Sequence, residues 1–206
     1  MSLSKSLWLA ILFAVSVVSA AEFPAPAVDT PAAAHKKKET AVLAGGCYWG
    51  VEAVFDRVKG ISGVESGFAK GDNSGAAEHA ESVKITYDPS KISYGQLLEV
   101  FFAVAHDPTE LNRQGPDVGA EYRSVIFYSN DEQKHVAEAY IEQLNKAGVY
   151  PRPIVTAVAP LAKFQAVDES QQHFVDRNPN SPYVVANDLP KLEHLKQQFP
   201  DLLKHH

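Results

Sequence analysis

Cys47 is the single cysteine among 206 residues, and its neighbours give it the setting of a nucleophile. It stands in Gly45-Gly46-Cys47-Tyr48-Trp49-Gly50, directly after the apolar run Thr40 to Ala44. The next residues place Val51, Val54, Phe55 and Val58 on one face and Glu52, Asp56, Arg57 and Lys59 elsewhere. The run reads as a buried strand, and the following stretch has the helical period of about 3.6 residues. A thiol at a strand-to-helix junction meets unpaired amide N–H groups and the positive end of the helix dipole, so it is expected to ionise more easily than a free thiol. Tyr48 and Trp49 are placed to wall a small apolar pocket beside the sulfur. The competing reading is an inert core cysteine, because free cysteine is among the most buried residue types. The flanking glycines, adjacent aromatics and helix-start position weigh against it.

If the thiolate attacks an oxidised sulfur, an S=O group, the departing oxygen must be protonated. A carboxylic acid held neutral and a phenol are the helpers to look for. Glu81, Asp117 and Tyr122 have those side chains. Residues 78–87 alternate as a strand, with Glu81 and Val83 on one face and His79 pointing the same way. A carboxyl at the head of a core-facing row can act as an acid near neutral pH, since burial raises its pKa. Asp117 lies in the aperiodic polar stretch Thr109 to Tyr122, and a long loop of this kind inside a compact domain is usually functional.

The elements that must position these groups follow from pattern. Strands are expected over 40–44, 61–69, 78–87, 123–128 and 154–158. Helices are expected after Cys47, after the caps Ser93 and Asn130, over 168–177, and over 189–203 with an interruption at Pro200. The order implies an α+β fold, a two-layer sandwich around a mixed sheet with a split βαβ (ferredoxin-like) core. At 45% hydrophobic residues the chain fills one core. Lys5, the apolar run Leu7 to Val18 and the small residues ending at Ala20 read as a secretory signal cleaved after Ala20, which sends the protein to the periplasm. The run is shorter than the roughly 20 residues that span a bilayer, so the mature form has no membrane anchor. Residues 21–39, rich in Ala and Pro, read as a flexible linker, and 40–206 as the functional domain with a helical tail. A formal charge of −6 argues against nucleic acid. A monomer is expected. Eight histidines without metal-ligand spacing give no metal site.

Gly46-Cys47-Tyr48-Trp49-Gly50, His79-Ala80-Glu81, His106-Asp107-Pro108-Thr109, Asn112-Arg113-Gln114-Gly115, Asp117, Gly119 and Tyr122-Arg123-Ser124 together resemble the A-type peptide methionine sulfoxide reductases over roughly residues 40–180. The resemblance implies reduction of the S epimer of methionine sulfoxide, free or in oxidised proteins, with no bound cofactor. It implies that Cys47 is the nucleophile and becomes a sulfenic acid, and that Glu81 donates the proton, with Asp117 and Tyr122 assisting. Gly46, Tyr48, Trp49, Phe68 and His79 are then substrate-binding positions. With one cysteine, the sulfenic acid must be reduced from outside, by a thioredoxin-like protein or a small thiol.

The chain departs from the family pattern in three places. The segment between Gly67 and His79 is short and lacks the tyrosine that hydrogen-bonds the sulfoxide oxygen, with Phe68 after the glycine. Glu78 replaces the glycine before His79. Ser170-Gln171-Gln172 replaces a Tyr-His-Gln element. These departures keep open a thioether or methionine-sulfoxide binding module with negligible turnover. A cysteine hydrolase pairing Cys47 with His79, His106, His135 or His173 is a further alternative.

Overall fold

The structure is a computed structural model that describes residues 23–30, 37–71 and 79–204. The expected signal segment, most of loop 70–75, Glu78 and the terminal histidines lie outside the described residues.

Strand β1 (Glu39–Gly45) is buried on both faces, as its unbroken apolar run requires. Gly46, at φ +87°, turns the chain into helix α1 (Tyr48–Asp56). Strands β2 (Ile61–Gly71) and β3 (Ala80–Tyr87) form an antiparallel pair, and β1 lies antiparallel on the other side of β3. Helix α2 (Tyr94–Val100) continues into a buried π-helical turn, Phe101–Ala105. The polar stretch that follows contains a small hairpin of β4 (Arg113–Gln114) and β5 (Asp117–Val118), then a 3₁₀ turn, Ala120–Tyr122. Strand β6 (Ser124–Tyr128), helix α3 (Asp131–Ala147) and strand β7 (Ala157–Ala166) come next. Helices α4 (Phe174–Arg177) and α5 (Leu189–Gln198) end the domain.

The expected mixed sheet with packed helices is present, but it is not an open layer. Strand β7 pairs parallel with β6 and antiparallel with β2, closing a barrel in the order β1-β3-β2-β7-β6. Pro160 pairs with Tyr128 at the end of β6, and the residues after it pair with β2. The proline, which has no N–H to give, thus sits at the handover between partners. The strand expected over 154–158 is therefore longer and lies further along the chain. Alternate faces of the strands fill two cores. Ala41, Leu43, Val83 and Ile85 pack with the helices, while Val42, Ala44, Ala69, Ala80, Val125 and Phe127 fill a smaller cluster.

Two further expectations are corrected. The helix expected over 168–177 breaks at His173, whose φ is +50°. Its neighbour Gln172 is tied to strand β2, accepting from the Ser66 N–H at 2.8 Å and donating to the Ser66 carbonyl at 2.9 Å. The linker expected over 21–39 is in part held to the domain. The Tyr140 hydroxyl donates to the Pro24 carbonyl at 2.6 Å, Gln143 bonds Ala25 and Ala27, and Asp29 accepts from the Gly95 N–H at 2.7 Å.

Ser93 caps α2 as its sequence implies, accepting from the Gln96 N–H at 3.1 Å while the Gln96 side chain accepts from the Ser93 N–H at 3.0 Å. Ser93→Ala should cost about 1 kcal/mol. The check is urea denaturation, with a lower midpoint and an unchanged slope.

Candidate active site

Cys47 is the residue before α1, with no side-chain cap on the helix start. The first free amide of the helix, that of Tyr48, donates instead to Glu81 Oε2 at 3.1 Å, so a carboxyl from β3 caps α1. Phe68 on β2 is the direct cross-strand partner of Glu81. The head of β3 is thereby fixed against the cysteine.

The thiol is 8% exposed. Burial pushes its pKa up to about 12, with the charge of Glu81 as the next cause. The backbone N–H of Trp49, aimed at the sulfur, and the neighbouring Tyr183 side chain pull the other way, while Asp188 adds to the rise. The expectation of an easily ionised thiol is thus corrected, because desolvation and neighbouring carboxyls outweigh the helix terminus. Glu81 is itself raised to about 7, first by burial and then, against the Tyr48 hydrogen bond, by the charges of Asp117 and Glu121. Tyr122 is raised by burial and then by the charges of Glu81, Asp117 and Cys47, and its 3₁₀ turn packs against β3.

Asp117, on β5, accepts a short hydrogen bond from the Tyr183 hydroxyl. Both residues line a cleft of about 110 Å³ together with Cys47, Gln114, Asn187 and Lys191. Aromatic rings form the adjoining wall. Trp49 stacks on Phe174 at 3.8 Å with an interplanar angle of 10°, and meets Tyr183 edge-on at 5.8 Å. Tyr48 contacts Trp49 at 6.2 Å and Phe68 at 6.0 Å, both edge to face. Asp188, 0% exposed, lies where any Cβ at Gly50 would strike its carboxyl. Its oxygens have no hydrogen bond, Lys191 Nζ stands 3.7 Å from Oδ1, and burial raises the carboxyl to about 6.

The structure therefore brings Cys47, Tyr48, Trp49, Phe68, Glu81, Asp117 and Tyr122 together. Gly46 forms the turn beneath the sulfur and packs against the Gln114 side chain. His79 is exposed, lining a separate depression with Phe68 and Gln165 rather than the cysteine cleft. Sequence reasoning missed Tyr183, Phe174 and Asp188. Only Tyr183 carried a signal, as an aromatic in the proline-marked segment Asn178-Pro179-Asn180-Ser181-Pro182-Tyr183. His106 commits its ring nitrogens to the Phe101 carbonyl at 3.1 Å and to Ser124 Oγ at 2.8 Å, and burial lowers its pKa to about 3. This removes it as a base for Cys47.

The buried groups set a pH dependence of stability. Glu52 and Glu81, at about 7, and Asp188, at about 6, hold protons in the fold that the unfolded chain has lost. Their stabilisation is present below the ordinary carboxyl pKa and is lost as pH rises through the folded values. His106 acts oppositely, but its contribution is complete above its ordinary value of 6.5. The urea midpoint should therefore fall between about pH 4.5 and 7, where the three carboxyls outweigh His106, and Glu81→Gln should flatten that fall.

Comparisons with known proteins agree with one another. A family model described as peptide methionine sulfoxide reductase matches residues 39–203. A peptide methionine sulfoxide reductase MsrA 2 of Mesorhizobium japonicum is 54% identical over 173 residues, covering 80% of this chain and 89% of the relative. A protein of the same name from Synechocystis is 45% identical over 192 residues, covering 88% and 90%. Among solved structures, Mxr1 from Saccharomyces cerevisiae in reduced form matches with a TM-score of 0.59 at 31% identity, over 70% of this chain and 88% of that one.

Proposed function

The chain belongs to the peptide methionine sulfoxide reductase family, and from that premise we infer that it is a peptide-methionine (S)-S-oxide reductase in which Cys47 is the nucleophile and Glu81 the acid. The observation that carries this reading is the Tyr48–Glu81 hydrogen bond, which holds a carboxyl raised to about 7 at the helix turn that presents the thiol. A neutral Glu81 hydrogen-bonds the sulfoxide oxygen and passes it a proton, making the sulfur electrophilic. Once Glu81 has given its proton to the substrate oxygen, its carboxylate takes the Cys47 proton, and the backbone N–H of Trp49 stabilises the developing thiolate. The sulfoxide oxygen ends on Cys47 as a sulfenic acid. The substrate sulfur gains the two electrons that the cysteine sulfur loses, and methionine departs.

Trp49, with Tyr48, Phe174 and Tyr183 around it and Phe68 behind Tyr48, offers an apolar wall for the S-methyl group. Tyr122 is assigned to assist Glu81 at the oxygen, and Asp117 orients Tyr183. The binding-module alternative is not favoured, because the relatives are named as reductases and the acid and nucleophile stand together.

One cysteine leaves the sulfenic acid without an internal resolving thiol, so two equivalents of an external thiol, a thioredoxin-like protein or a small molecule, return Cys47 to its reduced state and release water. The further assignments rest on the chain's patterns. An export signal ending at Ala20 and a periplasmic site rest on the apolar run Leu7 to Val18. A monomeric reductase domain over 40–206 and action on oxidised proteins complete the reading. The placement of β3 between β1 and β2 supports a split βαβ core.

With dithiothreitol as reductant, the protein should convert the S epimer of a blocked methionine sulfoxide and leave the R epimer. Cys47→Ser should abolish turnover. kcat/KM should fall as pH rises through about 7, where Glu81 loses its proton. Glu81→Gln should reduce the rate about 100-fold and remove that pH limb. Turnover of both epimers, or an unchanged profile in Glu81→Gln, would contradict the assignment.

A further inference from the structure

Glu52 and Asp56 stand one turn apart on α1, facing the same way, and meet His173 from the chain that precedes α4. One ligand atom from each lies within 4.8 Å of the other two. The reductase reading uses none of them. Glu52 is 1% exposed, yet its Oε1 has no hydrogen-bond partner. Its other oxygen accepts from the His173 N–H at 2.8 Å, and Oε1 is turned toward His173 Nδ1, 3.8 Å away. Nδ1 lies 2.8 Å from Asp56 Oδ2. Lys204 and Arg177 are close enough to act electrostatically on Asp56 and His173, and the Ser66 hydroxyl lies near the Glu52 carboxyl, but none completes a hydrogen bond to Oε1. A buried carboxylate oxygen without a partner is costly, and its presence calls for an explanation such as a bound water or ion.

We propose that Glu52, Asp56 and His173 form a divalent-metal site, with Zn²⁺ the best-fitting ion. Zinc accepts imidazole and carboxylate together at about 2.0–2.2 Å, which in a tetrahedron separates the ligand atoms by about 3.4 Å. The separations of 2.8 and 3.8 Å bracket that spacing. Calcium needs six or more oxygens, and magnesium avoids nitrogen, so the donor set selects against both. Two carboxylates and a neutral imidazole match a double positive charge. His173 is 47% exposed, which gives the ion an entrance and leaves a fourth position for water. The Glu52 carboxylate is held in orientation by the His173 amide, as outer contacts commonly hold a metal ligand. Sequence spacing hides the site, because His173 is 117 residues from Asp56.

The ion would do more than fill a gap. His173 immediately precedes Phe174, whose ring stacks on Trp49. Tying His173 to α1 holds that stack and, through it, the wall of the cysteine cleft.

The test uses the full chain carrying Cys47→Ser, so that the thiol cannot bind metal. The protein is stripped with chelator, equilibrated with micromolar Zn²⁺ and analysed for metal content and thermal stability. The expected result is one Zn²⁺ per chain with a melting temperature raised by several degrees. His173→Asn should weaken binding at least tenfold and remove the shift, with the fold verified by near-ultraviolet circular dichroism. Asp56→Asn should do the same. Absence of uptake overturns the proposal, and so does uptake that persists unchanged in His173→Asn, since the ion would then lie elsewhere. Neither readout depends on reductase activity.

Discussion

The hydrogen bond from the Tyr48 amide to Glu81 joins the start of α1 to β3, and the chemistry of the site depends on that single link. It satisfies a helix amide that would otherwise be unpaired, and it draws a carboxyl into a buried place beside the only thiol. Burial then raises both groups, and each charge makes the other costlier to form. The two protons are therefore coupled. On the proposed mechanism, the resting site keeps its thiol protonated, and a bound sulfoxide oxygen accepts the Glu81 proton, leaving a carboxylate that can take the proton of Cys47.

Closure of the barrel serves this link from behind. β7 bridges β6 and β2, so that β2 and β3 are held on both sides and the register setting Phe68 against Glu81 is fixed. The chain then returns across the site. Gln172 clamps onto Ser66 of β2, and the residues after it bring Phe174, Tyr183 and Asp188 to the first turn of α1. Gly50 is needed there because a larger residue would displace the Asp188 carboxyl.

Local pattern made much of this visible. The buried run of β1, the α1 period, and the caps at Ser93 and Asn130 were legible because each is written within a few residues. So was Glu81 as a partly buried acid, since strand alternation placed it on the face of Val83. Groups that act through distant neighbours were not legible. The thiol's raised pKa comes from Glu81, Asp188 and desolvation, none of which spacing reports. Barrel closure depends on β7 changing partners at Pro160, and the strand pattern there is too polar to locate it. The period of α1 sets Glu52 only off the apolar face, and the chain around His173 meets it there and buries it.

The most direct measurement of the central claim is a single turnover without any reductant. The reduced protein is mixed with excess S-epimer peptide sulfoxide, and methionine released is compared with free thiol lost and with the mass of the Cys47 peptide. The account predicts one methionine per chain, loss of one thiol, and a gain of one oxygen at Cys47 that a sulfenic-acid reagent captures. Methionine formed without oxidation of Cys47, or none formed by a folded protein whose thiol remains titratable, would contradict it.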